Sequence, residues 1–209
     1  AILSAALIRD FPDLYQLYSE KEYSFNKIRQ HNRNNLLWRD PAVDGLKTGY
    51  TQAAGYCLAS SAKRDGMRLI SVVLGSGSES SRVSESQSLL NYGFRFFETV
   101  QLYKAGQELA QGKVWKGEEE QIRRGIRDEL YITIPRGRYE DLDAQVEMRP
   151  ELIAPITEGE EVGRISIRLE DEEVANRGLV ALESATEAGF FGRTWDGLSM
   201  WFGGLFEDD

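Results

Sequence analysis

Along the 209 residues the spacing of apolar positions changes several times, and each change marks an element. Ile2 to Ile8 is an apolar helical run that ends at Asp10-Phe11-Pro12, read as a cap with the proline opening a second helix. Leu14, Leu17 and Tyr18 then fall on one helical face up to Ser19. "KEYSFNKI" alternates instead, which puts Tyr23 and Phe25 on a strand or hairpin arm beside a turn at Asn26. "RQHNRNNLLWRDPAVDG" keeps no period and predicts a long loop. Three strands follow, 45–51, 55–63 and 67–74, with "KRDG" as the hairpin turn between the last two. "MRLISVVL" is continuous enough in apolar residues to predict a central, buried strand. Beyond the Gly/Ser-rich turn "GSGSESS", Val83, Leu90, Phe94 and Phe97 recur at helical spacing, so a helix packed on the sheet is expected.

A change of texture near residues 98–106 predicts a domain boundary. "ELYITIPRG", "DAQVEM", "GRISIRLEDEE" and "RGLVALES" are short alternating or apolar stretches between Gly, Pro and acidic turns. They predict a small antiparallel sandwich or barrel without a cluster of titratable groups, hence without catalysis of its own. The last segment changes again. Phe191, Trp195, Leu198, Phe202 and Leu205 share one helical face, widened by Trp201, with Arg193 and Asp196 opposite. This is the pattern of a helix lying in a membrane interface; a helix docked in a protein groove is the alternative. The expected domains are therefore 1–100, 101–186 and an amphipathic helix at 187–209.

The net charge of −9 removes phosphate-backbone binding from the field, because nucleic acid needs a clustered basic face. No 18-residue apolar run exists to span a bilayer. The opening "AILSAALIRDFPDLY" has no basic start and no cleavage site, and reads as the middle of a domain. No His/Cys/Asp grouping has metal spacing, so neither a metal nor a cofactor is expected. His31, the one histidine, lies in polar text, and Cys57, the one cysteine, reads as a buried structural thiol. "GSGSESS" lacks the Lys-Ser/Thr ending of a nucleotide loop.

The candidate chemistry sits at Lys47-Thr48-Gly49. By itself the tripeptide fits two readings: an exposed strand lysine before a turn, or one wall of a serine acyl-transfer site. The second needs a cation near the nucleophile and the substrate carboxylate, a hydroxyl to bind that carboxylate, and a strand position bare of side chain. Lys47, Thr48 and Gly49 supply these in turn, and the backbone N–H of Tyr50 is then placed to donate to a tetrahedral oxyanion.

Beyond the tripeptide, "FNKIRQHNRNNLLW", "VDGLKTGYT", "AGYCLASSAKRDGMRLISVVLG", "LLNYGFRFFETV", "YITIPRG" and "GFFGRTWD" resemble, in order, the low-molecular-mass penicillin-binding proteins of Gram-negative bacteria. These are the D-alanyl-D-alanine carboxypeptidases. The resemblance implies an α+β fold: part of a β-lactamase-like transpeptidase domain, an all-β second domain, and an amphipathic anchor on the periplasmic face of the inner membrane. It implies peptidoglycan pentapeptide as substrate and β-lactam antibiotics as inhibitors. Arg33 and Arg82 match family positions near the substrate pocket and are candidates to bind the terminal D-Ala carboxylate; a solvated arginine is the other reading of each. Arg82 would stand in the first turn of its helix, where a cation opposes the dipole.

The family's Ser-x-x-Lys and Ser-x-Asn motifs precede the segment with which this chain begins, so the nucleophile is expected upstream and the chain alone is expected to be inactive. Ser24–Lys27 and Ser60–Lys63 fit Ser-x-x-Lys, yet both lie in period-two text, where residues three apart face opposite ways. Tyr50 stands where relatives carry His or Thr. A non-catalytic, membrane-associated cell-wall binding module is the alternative function.

Overall fold

The structure, a computed structural model, describes residues 1–189 and divides into two compact units, 1–98 and 99 onward. It is a mixed α+β chain. The first unit opens with α1 (Ile2–Asp10) and α2 (Pro12–Tyr15), whose first residue is the expected proline, followed by a 3-10 turn to Ser19. Asp10 caps nothing; its carboxylate pairs with Arg9 at 2.6 Å. The helical face predicted here is also the wrong one. Leu14 and Leu17 are exposed, while Tyr15 is buried because its hydroxyl reaches Asp44 at 2.6 Å.

Strands β1 (Glu22–Phe25) and β2 (Ile28–His31) form a hairpin whose turn residues Asn26 and Lys27 both have positive φ. The predicted loop is thus largely ordered. Its start is β2, and further on lies the short helix α3 (Leu36–Arg39). Buried Asn34 explains the second feature: its amide donates to the Gly45 carbonyl at 3.0 Å and its oxygen accepts from the Leu36 N–H at 3.2 Å. That satisfies backbone groups which a plain loop would leave to water.

Strands β3 (Val43–Thr51), β4 (Gly55–Arg64) and β5 (Met67–Ser76) form an antiparallel sheet in that order. The turn between β4 and β5 uses Asp65 and Gly66 at φ 49° and 83°, a geometry in which glycine carries no Cβ penalty. The expectation for "MRLISVVL" needs correction. Within this sheet the central strand is β4 and β5 is an edge, with Leu74 74% exposed. Its apolar run therefore does not report burial on both faces.

Helix α4 (Glu79–Phe96) is capped by Ser78, whose hydroxyl accepts from the Ser81 N–H at 3.0 Å. Val83 and Leu90 are buried against Leu36, Leu37, Val43, Leu58 and Ala62, with Phe94 packed alongside. Phe97 does not continue the helix but starts a strand. Gly93 allows close packing, since a Cβ there would lie 2.4 Å from Leu69. The buried carboxylate of Asp40 ties the unit together: it meets Arg64 at 2.5 Å and accepts from the Ala42 N–H at 2.9 Å. Arg64 in turn lies 4.5 Å over the Phe94 ring.

The second unit is built of β6 (Phe97–Tyr103), β7 (Glu108–Trp115), β8 (Gln121–Gly125), β9 (Leu130–Pro135), β10 (Leu142–Met148), β11 (Leu152–Ile153), β12 (Glu161–Leu169) and β13 (Glu172–Ala181). A six-stranded sheet runs β10-β12-β13-β8-β7-β11, and β6 pairs with β9. It is antiparallel as expected, apart from the parallel β11–β7 contact. Strict alternation along β9 buries Leu130, Ile132 and Ile134 against Ile165, Ile167 and Leu179.

One core position is polar. Arg124 on β8 is only 4% exposed, stands opposite Ala110 and Ala181, and its Nε and Nη1 have no partner. Its guanidinium crosses Gly112, where a Cβ would lie 1.6 Å from Nη2. Burial holds this arginine below its usual pKa. Residues 187 and 188, the start of the expected anchor, are bonded to Gly117 and Lys116 beside β7. Phe191, Trp195, Leu198, Trp201, Phe202 and Leu205 lie outside the described residues. No described helix is long and apolar enough to cross a membrane.

Candidate active site

Lys47, Thr48 and Gly49 lie on β3, opposite Ala59, Leu58 and Cys57 of β4. β3 has a strand on one side only, so alternate peptide groups face away from β4. Its entry is fixed from behind. The Asp44 carboxylate takes the Tyr15 hydroxyl and pairs with Arg68 at 2.7 Å, while Arg68 also donates to Ser61 Oγ at 2.6 Å. Burial, reinforced by the bond to Asp44, pushes the Tyr15 hydroxyl up to about 12. A side chain at Gly45 would strike that hydroxyl at 2.7 Å.

Gly49 is different. A Cβ there would meet only Cys57 Cβ at 3.8 Å, an ordinary contact. Packing within the described residues does not demand glycine at this position. Cys57 itself is half-buried rather than buried, its thiol 3.5 Å from the Ala54 carbonyl.

All six residues picked from the sequence line one cleft of about 540 Å³: Arg33, Lys47, Thr48, Gly49, Tyr50 and Arg82, joined by Tyr56 and Glu79. Lys47 is exposed, and its ammonium donates to the Thr48 carbonyl. Arg33 is carried on the segment ordered by Asn34, whose own N–H donates to Asn32 Oδ1 at 2.9 Å. Arg82 is not the solvated arginine of the alternative reading: it is 2% exposed at the start of α4. Its Nη1 lies 3.4 Å from the Gly49 carbonyl and its Nη2 3.3 Å from both the Arg33 carbonyl and Glu79 Oε1, while Nε has no partner. The unfavourable helix-dipole position is therefore offset by two backbone carbonyls and one carboxylate.

Tyr50 stacks on Tyr56 with ring centroids 4.4 Å apart, and Arg82 lies 5.6 Å from the Tyr56 centroid. One acid among three cations leaves the cleft basic within an acidic chain. Sequence reasoning missed Tyr56 and Glu79, though both had signals. Tyr56 is the cross-strand partner of Tyr50 in the hairpin register, and Glu79 precedes Arg82 by one helical turn.

The two Ser-x-x-Lys matches lie elsewhere in strand structure. Ser24 lies on β1 and Lys27 in the β1–β2 turn, and Ser60 is buried in β4, bonded to Ser71 at 2.7 Å. Among the described residues no three His, Cys, Asp or Glu side chains are grouped to hold a metal.

Residues 1–78 match the sequence model of D-alanyl-D-alanine carboxypeptidase, and residues 97–187 that of the penicillin-binding protein 5 C-terminal domain. The chain belongs to the D-alanyl-D-alanine carboxypeptidase family. It is 45% identical to D-alanyl-D-alanine carboxypeptidase DacC of Escherichia coli (strain K12), over 99% of this chain and 53% of that protein. To DacA of Haemophilus influenzae it is 41% identical over the same shares. The crystal structure of penicillin binding protein 5 from Haemophilus influenzae superposes with a TM-score of 0.81 at 40% identity, covering 90% of this chain and 55% of that one. This carboxypeptidase-family chain thus spans about half the length of the relatives it matches.

Proposed function

We propose that the cleft on β3 is one wall of the active site of a serine-type, penicillin-binding D-Ala-D-Ala carboxypeptidase that removes the terminal D-Ala of peptidoglycan pentapeptides. The observation supporting this is the convergence of Lys47, Thr48, Gly49, Arg33 and Arg82 on a single cleft in a chain of this family.

In this reading the substrate backbone lies along the bare edge at Gly49. The Thr48 hydroxyl and Arg82 hold the terminal carboxylate, with Arg33 adding positive charge at the rim. The Lys47 ammonium lowers the energy of the nucleophile's alkoxide and assists proton transfer to the departing D-Ala amine. The Tyr50 N–H stabilises the oxyanion, a contact worth ~3–4 kcal/mol where such donors have been removed. The acyl-enzyme forms on a serine in Ser-x-x-Lys at a helix start, and neither match in this chain has that setting. The chain spans about half the length of its relatives, and in this reading the serine belongs to the part it does not span.

A fluorescent penicillin tests this. It labels the full-length protein covalently and leaves the 209-residue chain unlabelled; stoichiometric labelling of the chain alone refutes the placement of the nucleophile. We further propose a periplasmic location, with Phe191, Trp195, Leu198, Trp201, Phe202 and Leu205 seated in the inner-membrane interface. Flotation with vesicles of anionic and zwitterionic lipid, with and without residues 187–209, tests that. Equal flotation of both forms refutes it.

A further inference from the structure

We propose that Glu79 is a built-in competitor for Arg82, holding the guanidinium until a ligand carboxylate displaces it, and so sets the selectivity of the cleft for a free C-terminus. The inference rests on reading the cleft as the seat of a D-Ala-D-Ala terminus.

Arg82 is buried yet poorly served. Each of its three contacts is 3.3–3.4 Å long, and Nε has none. Charge-assisted N–H···O bonds normally settle at about 2.7–2.9 Å. The guanidinium is therefore placed by backbone carbonyls without being saturated by them, and keeps donor capacity for an anion. Among the described residues the only carboxylate bonded to it is Glu79, whose side chain is 59% exposed while that of Arg82 is 3% exposed. The acid is the partner that can leave.

Leaving is also easy for Glu79. It occupies the first turn of α4, where a carboxylate is favoured by the helix dipole whether or not it touches Arg82. A ligand carboxylate arriving over Thr48 and Gly49 gains two guanidinium donors in forked geometry, which a single glutamate oxygen at 3.3 Å does not use. A neutral C-terminal amide cannot displace Glu79 on those terms, so the resident acid sharpens discrimination against substituted termini. Displacement rather than cooperation also follows from charge: a second carboxylate beside Glu79 is repelled unless Glu79 turns outward.

The test uses the 15N-labelled 209-residue chain, titrated with N-acetyl-D-Ala-D-Ala and with its C-terminal carboxamide. Amide shifts of residues 47–50 and 79–82 are followed in the native protein, in Glu79→Gln and in Glu79→Ala. Exposure of Glu79 makes both variants safe for folding, and their unperturbed spectra check it. The expected result is carboxylate binding tightened about two- to fivefold in both variants, the range an exposed ion pair supplies, with carboxamide binding unchanged. Equal or weaker carboxylate binding in the variants overturns the competitor role while leaving the cleft reading standing. If the dipeptide shifts no cleft amide in any of the three proteins, the cleft reading fails and this proposal fails with it.

Discussion

Arg124 offers a stability test whose sign runs against habit. Two of its nitrogens are buried without a partner in the core of the second unit. A buried donor left unsatisfied costs about 1–3 kcal/mol, more when charged. Arg124→Leu keeps apolar volume between Ala110 and Ala181 and removes those donors. The unit should gain about 1–3 kcal/mol, since replacing unpaired buried charge by apolar volume stabilises by that order. For a unit of this size that is about 4–15 °C in Tm.

The geometry adds a coupled partner. A Cβ at Gly112 would lie 1.6–2.0 Å from Nη2, Nε and Cζ of Arg124, so Gly112→Ala forces the guanidinium out of its place. Once the arginine is leucine the obstruction is gone, and the alanine should cost at least about 1 kcal/mol less than in the native background. Urea titrations followed through amide resonances of β7 and β8 report the second unit separately. A lower midpoint for Arg124→Leu, or an equal cost of Gly112→Ala in both backgrounds, refutes the reasoning.

Asp40→Asn should lower the stability of the first unit by about 2 kcal/mol, because a buried carboxylate loses its charge-assisted bond to Arg64; a urea midpoint within error of the native one contradicts this. Tyr15 has its hydroxyl raised from 10.0 to about 12, so it favours the folded state fully below pH 10, and that contribution is lost as pH rises from 10 through 12. It amounts to about 3 kcal/mol at most, and Tyr15→Phe should remove that part of the alkaline decline; identical slopes in the two proteins would sink the assignment. Lys27→Gly, at φ 61° in the β1–β2 turn, should stabilise the hairpin by about 0.5–1 kcal/mol, read as slower amide exchange in β1 and β2.

Much of the fold was legible because local pattern and tertiary role agree. β9 alternates and is half-buried, α4 carries its apolar stripe and cap, and the Asp65-Gly66 turn has the residues its geometry needs. Pattern misled where burial depends on a distant partner. Leu14 and Leu17 look like a core face, yet it is Tyr15 that is buried, because Asp44 and Arg68 wait 29 and more residues away. α3 escaped notice because its order comes from one asparagine bonded across to Gly45. For β5 the apolar run predicts two-sided burial, while the sheet places it at an edge. At the site, all six picked residues line the same cleft, and the one-turn spacing to Arg82 points to Glu79, but the burial of Arg82 follows from how α4 meets the loop of Arg33, which no local spacing encodes.

The basic cleft within a chain of net charge −9 has a consequence for encounter. An anion approaching from solution is repelled by the net charge and attracted by the three cations of this cleft, so that orientation is sorted before contact. At physiological salt the screening length is about 8 Å, so this sorting acts only over the last molecular diameter of the approach. Dilution of the surrounding electrolyte lengthens that reach, and capture rates for anionic ligands should climb with it while those for neutral ones stay flat.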